Sequence, residues 1–231
     1  MTKNDKKIET FSWWNLLFPQ ICGVCGKFAK NSLCKKCEIK LLEEAKFSKQ
    51  KNLKSLSENL YNSNIYFDEL LYVFKYEGII RKIILSYKFN DESYLYETFV
   101  NFLLKNEKFF KILKSYDTII PVPISNKRKK QRGYNQSYLI ARKIAKRLEV
   151  QCYKNLLLKI KDIPKQSGLT KENRLLNVKN AYKITNFEKI NNKKILVVDD
   201  VFTTGSTVNE CSRILKMYNP KKIGILTIAK D

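Results

Sequence analysis

Residues 195 to 207 read ILVVDDVFTTGST, and no other stretch so narrows the fold this chain can take. Four apolar residues, three of them β-branched, make a strand buried on both faces. Two carboxylates sit at its tip, and a turn of Thr203, Thr204, Gly205, Ser206 and Thr207 then opens a helix. The helix start offers backbone N–H groups and a positive dipole end, to which the Thr and Ser hydroxyls add donors, so the turn reads as an anion cradle. Gly205 lets the backbone approach a ligand closely. Asp199 and Asp200 would repel a phosphate, so their natural partners are vicinal sugar hydroxyls, met directly or through Mg²⁺.

The surrounding pattern alternates in the same sense. Short apolar runs at 117–123 (DTIIPVP), 156–160 (LLLKI), 193–200 and 222–228 (KIGILTI) predict strands. Helical periodicity predicts helices over 79–89, 93–105, 135–148, 174–181 and 206–217. Alternating strands and helices imply an α/β fold, a parallel sheet with helices on both faces, whose ligands lie at the carboxyl ends of the strands. The Lys- and Arg-rich run between 123 and Gly133 separates a strand end from a helix, where a mobile cationic loop is expected.

A second unit is written at the N-terminus. Cys22 and Cys25, then Cys34 and Cys37, form two CxxC pairs separated by eight residues. Each CxxC turn aims two thiolates at one point, and two such turns close a tetrahedral Zn²⁺ site. With no open coordination position the zinc is expected to be structural, holding a small zinc-ribbon-like module together. Cys152 and Cys211 read as ordinary buried thiols. A helix is expected in EIKLLEEAKF, followed by a polar linker or exposed helix from about Ser48 to Asn64. The division expected is therefore 1–60 for the zinc module and linker helix, and 61–231 for the α/β domain.

The chain has no histidine, which removes Ser-His-Asp and Cys-His nucleophile systems and His-ligated metals. Its formal charge of +23 invites a polyanionic partner, yet the same Lys-rich bias arises from composition alone. Against that background the arginines carry more information, because guanidinium grips phosphate bidentately; Arg128, Arg132 and Arg174 fall in the informative segments. The FSWWNLLF stretch is too short for a secretory core, and no run reaches the ~20 apolar residues of a membrane span. The chain reads as cytoplasmic, with the Trp13–Trp14 segment packing on the zinc module.

The 195–207 string resembles the phosphoribosyl pyrophosphate motif of type I phosphoribosyltransferases. Two further segments narrow the resemblance to the competence-associated ComF family. One is PVPISNKRKKQRGYNQS, through Pro121, Pro123, Arg128, Arg132, Gly133, Asn135 and Gln136; the other is KDIPKQSGLTKENRLLNVKNAY, through Gln166, Leu169, Arg174, Asn177 and Ala181. The CxxC pairs ahead of such a domain also fit that family's layout. The resemblance implies a type I phosphoribosyltransferase fold and a phosphoribosyl pyrophosphate-like ligand bound with Mg²⁺. Asp199 and Asp200 would hold the ribose in any catalysis, while the turn at Pro121, Val122 and Pro123 and the loop from Arg128 to Arg132 would meet pyrophosphate. Lys161 and Ile163 depart from the family's Arg and Thr, and Thr203 stands where purine-salvage relatives carry an Asp base.

Three functions follow as expectations. The first in rank is a component of natural transformation, handling single-stranded DNA with the DNA-uptake machinery, as the resemblance implies. The others are an active phosphoribosyltransferase with an unknown acceptor and a ligand-sensing, nucleic-acid-binding regulator.

Overall fold

The computed structural model describes residues 21–29, 32–51, 53, 64–90, 92–161 and 180–231. In chain order their elements are helix α1 (Lys35–Glu44), strands β1 (Ser48–Gln50) and β2 (Glu69–Lys75), helices α2 (Gly78–Phe89), α3 (Leu95–Lys105) and α4 (Glu107–Lys114), strand β3 (Thr118–Pro121), helices α5 (Asn126–Arg132) and α6 (Gln136–Leu148), strands β4 (Gln151–Cys152), β5 (Leu157–Lys159), β6 (Tyr182–Ile184) and β7 (Lys194–Phe202), helix α7 (Ser206–Lys216) and strand β8 (Lys222–Lys230).

Six strands form one sheet in the order β1-β2-β8-β7-β3-β4. All neighbours are parallel except β1, which runs antiparallel on β2 at one edge. The alternation along β7 divides the core. Leu196 and Val198 face a cluster shared with α1, α2, α3, α4 and α6. Ile195 and Val197 face a second cluster, covered by α7 and by the antiparallel pair β5–β6. This is the expected α/β arrangement, with a two-stranded hood taking part of one face.

Several boundaries differ from those expected. LLLKI does form a strand, but it pairs with β6 in the hood and not with the parallel sheet. Ser48–Gln50, read as the start of a linker, adds an edge strand, its register fixed by Lys49 opposite Leu71. ELLYVFK, for which no strand is predicted, is the buried strand β2. Of the helix expected over 174–181, only Asn180 and Ala181 are described, and both lie outside any helix. The Trp13–Trp14 segment, Ile163, Gln166, Leu169, Arg174 and Asn177 lie outside the described residues. Among the described residues no helix is long and apolar enough to cross a membrane.

The strand order reverses between β3 and β7. From β3 the chain crosses through α6 to β4 on one side, then returns to β7 on the other, which opens a crevice at the strand tips. The crevice deepens because β3 ends early: Pro121 is level with Val198, and Val122 adds one last N–H bond to the Val198 carbonyl at 2.9 Å. Beyond that level the partner of β7 among the described residues is β8, where Asp199 lies opposite Thr227.

Candidate functional site

Asp199 and Asp200 occupy the part of β7 that outruns β3. In a full ladder the Asp200 N–H would face β3, so it needs another acceptor. The Asp199 carboxylate supplies it at 2.9 Å, and also accepts the Ser137 hydroxyl from the first turn of α6 at 2.8 Å. Burial and then the neighbouring Asp200 charge raise the Asp199 carboxyl from 3.8 to about 7, against the pull of Ser137 and Lys88. Asp200 points to the other face of the strand and forms an ion pair with Lys88 at 2.9 Å.

Both acids line one cavity of about 230 Å³ between the tips of β3 and β7. Val122, Pro123, Arg128, Arg132 and Thr207 line it too. This is smaller than the ~300–1,000 Å³ of drug-sized pockets, and it suits a small polar ligand or one end of a larger one. Among the described residues, Lys88, Arg128, Arg132 and Lys159 give its wall four cations against two carboxylates, a balance that attracts anions. The basic segment expected as a loop is the short helix α5. Ser125 caps it by accepting the Arg128 N–H at 3.3 Å, and Gly133 ends it with φ 72°. Arg132 rests over the Phe89 ring at 4.8 Å, and burial lowers its pKa against the opposing Asp200 charge.

The turn at 203–207 is built as its residues suggest. Gly205 has φ 79°, and an added Cβ would lie 2.5 Å from the Phe202 ring, so this position requires glycine. The Thr204 and Ser206 hydroxyls bond each other at 2.8 Å. Thr207 alone of the five reaches the cavity wall; Thr203, Thr204, Gly205 and Ser206 shape the turn beside it. Pro121 is buried in β3 and does not line the cavity.

The structure also brings in residues that the sequence does not single out as site residues. Lys88 and Phe89 arrive from the end of α2, Lys159 and Tyr182 from the hood, and Gln136 and Ser137 from the start of α6. Gln136, Ser137 and Tyr182 stand within the two quoted motifs, so membership of those motifs was the available clue. Nothing in the sequence around Lys88 separates it from the many other lysines.

Outside the cavity lining, the Sγ atoms of Cys22, Cys25, Cys34 and Cys37 lie within 4.8 Å of one another, with Cys25 and Cys34 3.7 Å apart. Four ligands at the ~2.3 Å Zn–S distance of a tetrahedral centre require about this spacing. Burial disfavours the Cys22 thiolate, yet the backbone N–H groups of Cys34, Cys25 and Val24 outweigh it and bring the thiol down to about 7. The Cys37 thiol is pushed up, by burial and then by the neighbouring sulfurs. Four such groups cannot all ionise together without a cation, so the cluster is one that could bind a metal such as zinc.

The phosphoribosyl transferase domain family matches residues 135–231, from α6 through the acidic strand tip to β8. Competence protein F of Haemophilus influenzae is 29% identical over 167 residues, covering 71% of this chain and 73% of that protein. Competence protein ComFC of Streptococcus pneumoniae is 25% identical over 158 residues, 68% of this chain and 66% of that protein. DNA utilization protein YhgH of Escherichia coli O157:H7 is 33% identical over 99 residues, a match that spans 43% of each chain.

Proposed function

This chain is a ComF-family, phosphoribosyltransferase-like protein, and on that premise we propose that its cavity binds phosphoribosyl pyrophosphate with Mg²⁺ and that the protein acts in DNA uptake. The observation that carries the ligand reading is the gathering of Asp199, Asp200, Thr207, Arg128 and Arg132 around one cavity at the strand tips. Thr207, in the first turn of α7 at the positive end of its dipole, would receive the ribose phosphate. Arg128 and Arg132 would receive the pyrophosphate, and the carboxylates would receive the ribose hydroxyls. Hard oxygen donors at the acidic pair and on the ligand suit Mg²⁺, which when bound neutralises pyrophosphate charge. The DNA-uptake reading is supported by the names of the relatives, two competence proteins and a DNA utilization protein.

The cysteine cluster would hold one structural Zn²⁺. Its closed four-sulfur donor set leaves no position for a substrate.

Calorimetric titration of phosphoribosyl pyrophosphate with Mg²⁺ into wild type and Thr207→Ala tests the ligand reading. The variant is expected to lose ~10-fold or more in affinity, the scale of one hydrogen bond to a charged group. No heat from wild type would remove the assignment. For DNA uptake, a strain lacking the gene should take up transforming DNA poorly, and Arg128→Ala with Arg132→Ala should not restore it. Should the protein be an active transferase, pyrophosphate release would require Mg²⁺ and vanish in Asp199→Ala.

A further inference from the structure

The acidic pair already has a cation beside it. Lys88 lies one residue before the end of α2, off the stripe of Ile80, Ile83, Ile84 and Tyr87 that packs this helix into the core. Its Nζ is 2.9 Å from Asp200 Oδ1, and the two side chains are only 18% and 13% exposed. A divalent ion bound to Asp200 would have to stand at ~2.0–2.1 Å from a carboxylate oxygen, so it would crowd and repel the ammonium. A second observation on the same wall points to a guest. Gln136 is 1% exposed, lines the cavity, and buries its Nε2 with no acceptor among the described residues. A buried amide donor is normally paired, and an oxygen-rich ligand would pair it once the wall adjusts.

We propose that Lys88 is a resident counter-cation that keeps a bare divalent ion off Asp200, so that the metal enters this site only together with a phosphorylated ligand. The ligand's phosphate oxygens give the ammonium a new partner, and its release from Asp200 frees the carboxylate for the metal. The identity of that ligand rests on the reading above; the competition between Lys88 and the metal does not.

The test titrates Mn²⁺ into the ligand-free protein in mildly alkaline buffer, following free ion by electron paramagnetic resonance. Lys88→Met and Lys88→Gln should bind Mn²⁺ at least ~10-fold more tightly than wild type, the scale expected when a unit charge a few ångströms from the ion is removed. Lys88→Arg should behave as wild type, and Asp200→Asn added to Lys88→Met should abolish the gain. Equal Mn²⁺ affinity in wild type and both neutral variants, including no binding in any of them, overturns the proposal. A parallel titration of phosphoribosyl pyrophosphate with Mg²⁺ keeps the two ideas apart. Absence of binding there removes the ligand reading, while the Mn²⁺ gain still decides the role of Lys88.

Discussion

Asp199 sits where the fold would sooner have a neutral group, and that makes it the residue through which pH should act. Its folded pKa of about 7 lies above the ordinary 3.8, so the folded state holds this proton more tightly than the unfolded chain does. The contribution to stability is therefore greatest at acid pH, declines as pH rises from about 4 to about 7, and is flat above that window. Asp199→Asn keeps a side-chain oxygen for the Ser137 hydroxyl and removes the titration. Melting curves of the ligand-free proteins should show the variant gaining on wild type across that window and holding a constant lead above it; parallel curves would contradict the shift. A second residue-level expectation concerns Gly224 in β8, which leaves room for the Tyr116 hydroxyl where it donates to Glu69 at 2.5 Å. Glu69 also receives Lys222 at 2.9 Å and Lys49 at 3.3 Å, so this buried carboxylate is held from three sides. Gly224→Ala would push a methyl group into the Tyr116 hydroxyl and should cost about 1–3 kcal/mol in chemical denaturation, the usual range for overpacking.

Among the elements, those read correctly from sequence carry their own start and stop signals. Strand β7 is an apolar run between Lys194 and the hydroxyl-rich turn, and α7 begins at that turn after Gly205. Helix α6, expected over 135–148 from its periodicity, buries Ile140, Ile144 and Leu148 on one side, while Asn135, read as its first residue, is its cap. Asn135 accepts the Tyr138 N–H at 3.3 Å and donates to the Val122 carbonyl at 3.1 Å, joining the helix start to the end of β3. Asn135→Ala should lower stability by about 1–2 kcal/mol, the range for a lost N-cap, and weaken binding in the cavity as Ser137 loses its placement. Where the reading fell short, the deciding contacts are distant in sequence. Only three residues long, β5 is a strand because Tyr182–Ile184 returns to pair with it. The basic run at 126–132 lacks any buried residue, and its helix follows from the Ser125 cap and the favourable helix propensity of Lys, Arg and Gln. The acids and the two arginines were visible in the sequence as motifs. Lys88 was not, because only the packing of α2 against the strand tips brings it within reach of Asp200.

At the scale of the whole molecule, the cysteine cluster and the sheet are not energetically separate. Cys22, Leu33, Cys37 and Leu41 belong to the same apolar cluster as Leu95, Phe99 and Phe102 of α3. Ser32 bonds Thr98, and Lys105 reaches Glu38 at 3.1 Å. Stripping metal with a chelator should therefore lower the melting temperature of the whole chain and raise the thiol count accessible to a colorimetric reagent by the four cluster cysteines; an unchanged melt with all four reactive would detach the cluster from the fold. The same integration explains why the sequence marks the cysteine knuckles so clearly yet says little about what they rest on: the spacing of the pairs is local, the apolar floor beneath them is not. The early end of β3 has the widest reach. It turns the neighbouring strand into a ledge whose two acids are fixed by β8 from behind, while the residues opposite belong to a short connection that bears little of the sheet's register. Changes in that connection can alter which molecule rests on the ledge without disturbing the acids themselves, so the architecture separates the keeping of a chemistry from the choice of its guest.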